Sequence, residues 1–227
     1  MDKVLLYSGG MDSFCISKLE KPDINLYINL RTKCAEQELK RIHKLGTDIK
    51  VVIDNRINLA DQEMASYTVP LRNLILICIG AFYGNEIIIG SVKGEYNTDT
   101  DENFRAKTQE LIQYLLIDGA KNPMAWKDKT APFIVSAPFV NTTKTELVQR
   151  YIEAGNSVED LLKHSVSCVA GTEIECGECA SCFRKWAALT NNDIQGTFMK
   201  DPKLSAEKNM KYIADSIKPE IERALSK

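Results

Sequence analysis

Five short apolar runs, each separated from the next by a segment of helix-forming composition, set the architecture this chain can adopt. Lys3–Tyr7 is bounded by Ser8-Gly9-Gly10, and Ile24–Asn29 and Asp48–Ile53 are runs of the same kind. Glu86–Gly90 carries three consecutive isoleucines, and Phe133–Ala137 is the fifth run. Runs this short, bounded by turn residues and rich in β-branched side chains, are the pattern of strands buried on both faces. The segments between them predict helices over Ala35–Lys44 with Gly46 as its stop, from Pro70 onward, over Phe104–Ile117, and over Thr143–Ala154 ending at Gly155. Such alternation predicts an α/β fold: an open, mainly parallel sheet with helices on both faces.

After residue 160 the pattern changes to a cysteine-bearing loop and a helix from about Ser181 to Thr190. In the charged tail, Leu204, Met210, Ile213, Ile217, Ile221 and Leu225 fall mostly three or four apart. That stripe predicts an amphipathic helix, interrupted or restarted at Pro219, that packs back on the sheet or makes a homodimer contact. With 227 residues and a net charge of −2, the chain has no global basic field to recruit nucleic acid or an anionic membrane. The longest apolar run, Leu74–Tyr83, is too short to span a bilayer, and Val4–Tyr7 is too short for a signal-peptide core. A cytoplasmic protein is expected.

The first chemical signal is Ser8-Gly9-Gly10-Met11-Asp12-Ser13, directly after the first strand. In open parallel sheets ligands bind beyond the carboxyl ends of strands, where this loop lies. Two glycines let the backbone approach an anion, and the following helix presents unpaired amides and a positive dipole end. Ser8 and Ser13 add hydroxyl donors. Asp12 would repel phosphate unless a cation offsets it, which suggests a divalent ion at the phosphates. The loop is neither a Walker A sequence nor G-x-G-x-x-G. Its bland alternative is a tight strand-to-helix turn with an aspartate cap.

Seven cysteines are present, and Cys168, Cys176, Cys179 and Cys182 fall within one short loop. An odd number, clustered, argues for metal binding over a disulfide framework. Two C-x-x-C steps share Cys179, and Gly177 allows the turn that lets thiolates converge. Four thiolates form a closed tetrahedral zinc set with a structural role. An iron–sulfur cluster also accepts four thiolates, and a redox dithiol would use only two. Cys15, Cys34 and Cys78 read as inert thiols.

The loop Ser8–Ser13 resembles the PP-loop of N-type ATP pyrophosphatases, which cut ATP between the α and β phosphates to adenylate a carboxylate or carbonyl oxygen. Together with the cysteine spacing it resembles the QueC family, the 7-cyano-7-deazaguanine (preQ0) synthases. Val69-Pro70-Leu71-Arg72-Asn73 is similar to that family's V-P-x-R-N helix start. Ala137-Pro138 with Lys144, Glu146 and Val148 resembles its a-P-…-K-x-E-[IL]-V segment, and Phe183-Arg184 its C-G-x-C-x-x-C-x-x-R ending, with Arg184 one residue early. The likeness runs from about residue 3 to residue 190. One stretch departs: where the family has Y-P-D-C-R, this chain reads Glu95-Tyr96-Asn97-Thr98-Asp99-Thr100-Asp101-Glu102-Asn103-Phe104. Asp101 is the acid in that place, and no Cys-Arg follows.

The resemblance implies two regions: residues 1–160 as a nucleotide-binding α/β domain, and 161–227 as a zinc-binding loop and helices packed on it. It implies a C–N-bond-forming ligase that uses ATP with Mg2+ and carries structural Zn2+. Its acceptor would be 7-carboxy-7-deazaguanine, adenylated and aminated by ammonia to the amide, then adenylated again and dehydrated to the nitrile. Ser8, Gly9, Gly10, Met11, Asp12 and Ser13 would hold the nucleotide, with Asp12, Lys144 and Arg72 as catalytic residues and Asp101 and Glu95 at the base. Neither His43 nor His164 has a partner that spacing supplies, so no general base is assigned. Three alternatives stand beside this. A related enzyme stops at the amide or conjugates the activated carboxylate to another amine, such as one on a protein. A tRNA-thiolating enzyme is disfavoured by the acidic pI of 5.8. A zinc-stabilised nucleotide-sensing module would show no ATP turnover.

Overall fold

The computed structural model describes residues 2–45, 49–66, 68–94, 98–118, 131–170 and 172–227. All five predicted strands form: β1 (Lys3–Leu6), β2 (Ile24–Ile28), β3 (Val51–Asp54), β4 (Glu86–Ile88) and β5 (Ile134–Ser136). They make one parallel sheet in the order β3-β2-β1-β4-β5. Central β1 sets Val4 opposite Ile24 on β2 and opposite Ile87 on β4. Strand order reverses there, so the crevice between the loops after β1 and β4 is where such a sheet binds ligands.

The strands are largely apolar on both faces because both faces are covered, although Val52 on the edge strand β3 is 41% exposed. On one face Leu5, Tyr7, Tyr27 and Ile88 pack with Phe14 and Ile16 of α1 (Met11–Glu20), Leu147 and Tyr151 of α5 (Lys144–Glu153), Leu161 of α6 (Val158–His164) and Leu189 of α7 (Ala180–Asn191). On the other, Val4, Leu26, Ile28, Ile87 and Val135 meet Ile77 of α3 (Arg72–Gly80) and Ile112 of α4 (Glu102–Gln113). Between β2 and β3 runs α2 (Ala35–His43). The period-two split of Val4 from Leu5, and of Ile87 from Ile88, is the geometry of a pleated strand.

Two local expectations are corrected. The helix after Pro70 begins at Arg72, because Leu71 takes a left-handed conformation (φ 59°) that ends the preceding turn. The C-terminal stripe is not one helix: α8 (Pro202–Asn209) and α9 (Lys218–Leu225) flank a short 3-10 turn at Met210–Tyr212. Of the two roles expected of Pro219, restart is the one found: it sits in the first turn of α9, where a residue has no intrahelical N–H bond to lose. Ile213, Ile217 and Ile221 pack against Phe183 and Ala187 within the chain, whereas Leu204 stays 66% exposed. The tail also reaches α5: Glu220 Oε1 accepts from the Thr145 N–H and hydroxyl, both at 2.6 Å. Gly46 lies outside the described residues. Among those described, no helix is long and apolar enough to cross a membrane.

Candidate active site

β1 ends at Leu6, and the chain turns through Ser8-Gly9-Gly10 into α1. Gly9 sits at φ 73°, a backbone region that side chains with a Cβ rarely adopt. Ser13 Oγ closes the loop from inside, accepting from the Ser8 N–H at 3.2 Å and donating to the Gly10 carbonyl at 3.1 Å. Gly10 is the N-cap and supplies no capping side chain. The first-turn amides of α1 are therefore left for a ligand, as an anion site requires.

Lys144 opens α5, after the last strand, β5. A capping box fixes that turn: Thr143 Oγ1 accepts from the Glu146 N–H at 3.2 Å, and Glu146 Oε2 accepts from the Thr143 N–H at 2.7 Å. The Lys144 side chain is buried and its Nζ donates to Asp12 Oδ2. The other Asp12 oxygen, Oδ1, is buried without a protein partner.

These groups line one cavity of about 400 Å³ at the carboxyl end of the sheet. Ser8, Gly10, Met11, Asp12, Ser13, Arg72 and Lys144 all face it, and Gly9 supplies the turn behind them. Asp101 does not reach it. Its carboxylate caps α4 instead, accepting from the Phe104 N–H at 2.7 Å, the ordinary use of an aspartate at a helix start. Glu95 lies outside the described residues. His164 stacks on Phe14 in the core, away from the cavity.

The four cysteines converge. Their Sγ atoms all lie within 4.8 Å of one another, with Cys176–Cys182 at 3.8 Å and Cys179–Cys182 at 3.4 Å. A zinc tetrahedron with Zn–S bonds of about 2.3 Å has edges of about 3.8 Å, so the donor set fits that ion. Gly177 (φ 81°) is obligatory: a Cβ there would stand 2.0 Å from the Lys200 carbonyl. The contact with Cys182 draws the Cys179 thiol down to about 5 against the upward push of burial. The cysteine loop is tied to the Ser8–Ser13 loop, for the Val166 N–H donates to the Gly9 carbonyl at 2.9 Å. Val166, Ser167, Cys168 and Val169 also form part of the cavity wall.

Several residues here escaped the sequence reading. Beneath the metal loop, Lys185 Nζ donates to Glu175 Oε2 at 2.6 Å and to the Ser165 carbonyl at 2.9 Å, while Glu175 Oε1 accepts from the Ser167 N–H at 2.6 Å. Lys185, three residues after Cys182, holds the basic place of the C-x-x-C-x-x-R pattern; Arg184 instead lines the cavity and donates to the Lys93 carbonyl at 2.9 Å. On the opposite wall Tyr27 donates to Glu38 Oε2 at 2.8 Å. A signal for Glu38 was present: it shares a helical face with Ala35 and Ile42, the two buried residues of α2.

Comparison with known proteins agrees with this arrangement. The family model described as "Queuosine biosynthesis protein QueC" matches residues 24–193, beginning after the Ser8–Ser13 loop. The chain is 27% identical over 218 residues to 7-cyano-7-deazaguanine synthase 2 of Colwellia psychrerythraea, covering 84% of this chain and 94% of that one. It is 27% identical over 218 residues to 7-cyano-7-deazaguanine synthase 1 of Desulfitobacterium hafniense, covering 82% and 90%. Against 7-cyano-7-deazaguanine synthase of Methanothermobacter thermautotrophicus it is 30% identical over 128 residues, covering 53% and 50%. With the family model spanning well over half of a chain that carries this parallel sheet and this thiol cluster, the protein belongs to the QueC family.

Proposed function

We propose that the protein is a cytoplasmic ligase that converts 7-carboxy-7-deazaguanine and ammonia to 7-cyano-7-deazaguanine with the consumption of two ATP. The names of its relatives support the product. The observation that carries the reading for this chain is the assembly of Lys144, Arg72 and the open amides of the Ser8–Ser13 loop around one cavity at the sheet's switch point. An acceptor carboxylate and a triphosphate repel each other, so the main physical demand is positive potential and positioning. Loop amides and the Ser8 and Ser13 hydroxyls hold phosphate oxygens, while Lys144 and Arg72 offset the charge that builds on them. Asp12 Oδ1, buried and unpartnered, would hold magnesium, which supplies further neutralisation of the phosphates. The four thiolates would hold structural zinc.

In the first stage the acceptor carboxylate attacks the α-phosphorus and diphosphate leaves. Ammonia then attacks the acyl carbon, AMP departs, and loss of a proton gives the amide. In the second stage the amide oxygen attacks a second α-phosphorus with loss of diphosphate. Departure of AMP and of the two nitrogen-bound protons leaves the nitrile. In this reading residues 1–160 bind nucleotide, and 161–227 brace that region through the metal loop.

A second reading keeps the adenylation and changes the fate of the activated acid. The chain lacks the Cys-Arg of Y-P-D-C-R, and Asp101 is engaged in capping α4. This favours an enzyme that stops at the amide or passes the acyl group to another amine. Mass spectrometry of products from protein, magnesium-ATP, ammonium and 7-carboxy-7-deazaguanine separates the two. Nitrile with about two AMP per product, the ratio of two adenylations, supports the first. Amide with one AMP supports the second. No AMP from this acid refutes both.

A further inference from the structure

Glu38 is a charged group of the cavity that the mechanism leaves unused. Among the described residues three carboxylates line this cavity: Asp12, Glu38 and Glu63. Asp12 is matched by Lys144, and Glu63 Oε2 accepts from the Lys33 N–H at 2.9 Å. Glu38 is held differently. Its Oε2 accepts the hydroxyl of Tyr27, a strand residue only 3% exposed. Burial pushes the Glu38 carboxyl up from its ordinary range, with the Tyr27 hydroxyl and the Arg72 charge acting against that push. In a cavity that must take two anions, a carboxylate works against both unless it faces hydrogen-bond donors.

The chemistry of a carboxylate says which base edge it accepts. Two acceptor oxygens match two adjacent N–H donors, the arrangement that a 2-amino-4-oxo pyrimidine edge presents through N3–H and the 2-amino group. Adenine offers a donor beside an acceptor on each edge, and is matched by an amide side chain rather than by a carboxylate. Against adenine, one of the two contacts at Glu38 would set acceptor against acceptor.

We propose that Glu38, positioned by the Tyr27 hydroxyl, reads the 2-amino-4-oxo edge of the acceptor base and so distinguishes it from the adenine of ATP in the same cavity. This rests on the reading that the acceptor is a deazaguanine. Tyr27 is a positioning residue, and Glu38 determines specificity.

The test is calorimetric binding, with a non-hydrolysable ATP analogue present, of 7-carboxy-7-deazaguanine and of its counterpart lacking the 2-amino group. Wild type is expected to prefer the 2-amino compound by roughly 10- to 100-fold, the range for a hydrogen bond to a charged group. In Glu38→Gln the preference should fall to within about threefold, because an N–H then meets an N–H, while affinity for the ATP analogue stays unchanged. Tyr27→Phe keeps the packing and should lower the preference at least threefold, which serves the test if Glu38→Gln does not fold. A full wild-type preference in both variants overturns the proposal while leaving the function standing. So does a wild type that binds both compounds equally. A wild type that binds the nucleotide but neither base overturns the functional reading, and the proposal with it.

Discussion

Replacing Lys185 by methionine should destabilise the protein by about 3–5 kcal/mol, the usual cost of stranding one charge of a buried pair. Both side chains are withdrawn from water, at 3% and 9% exposure. Loss of the ammonium leaves Glu175 Oε2 and the Ser165 carbonyl without their donor. For a chain of this size 1 kcal/mol moves the melting temperature by about 2–4 °C, so the single variant should melt about 6–20 °C below wild type. Adding Glu175→Gln restores much of this. The amide oxygen still accepts from the Ser167 N–H and no charge is left buried; the Ser165 carbonyl and the new amide N–H groups are what remain to pair, a residual cost of about 1–3 kcal/mol. The assay is urea denaturation of wild type, both single variants and the double variant, at a fixed saturating zinc concentration so that metal linkage is constant. The reasoning is refuted if Lys185→Met stays within about 1 kcal/mol of wild type, or if the double variant loses the sum of the two single losses.

Other outcomes rest on the same geometry. Glu38→Gln should stabilise the ligand-free protein near neutral pH. Burial raises the folded carboxyl, so the wild type loses stability as pH rises through that value, and the neutral amide does not. The gain should vanish in denaturation curves taken below the ordinary glutamate range of about 4.3; a gain independent of pH would contradict the assigned cause. Cys179→Ser should release zinc and lower the melting temperature, and a variant with full metal content and wild-type melting would exclude the four-thiolate set. Asp12→Asn should abolish AMP release without loss of zinc, so unchanged turnover would remove the nucleotide assignment from the Ser8–Ser13 loop.

The sheet was legible because its strands are buried on both faces and therefore appear as unbroken apolar runs such as Glu86–Gly90. The cysteine cluster was legible because its ligands are close in sequence. Contacts that span the chain were not. Asp12 and Lys144 are 132 residues apart, and each was named for its own motif, not for the pair they form. Glu38 was hidden because α2 is so rich in charge that an acid on its buried face reads as one more solvated residue. Asp101 shows the opposite difficulty: an aspartate three residues before Phe104 suits a base-binding loop and a helix cap equally well in sequence, and only the backbone separates the two.

The bond from the tail to α5 bears on the order in which the protein is made. Thr145, next to Lys144, is held by Glu220, a residue synthesised 75 positions later. Asn191 joins the same knot, donating to the Glu220 carbonyl at 2.9 Å and to Thr145 Oγ1 at 3.2 Å. All five strands and the four thiols leave the ribosome before this anchor exists. A nascent chain can thus pair its strands and bring its four thiols together while the turn that carries Lys144 still lacks its last tether. The cavity that Lys144 lines gains this tether only once the tail has been made.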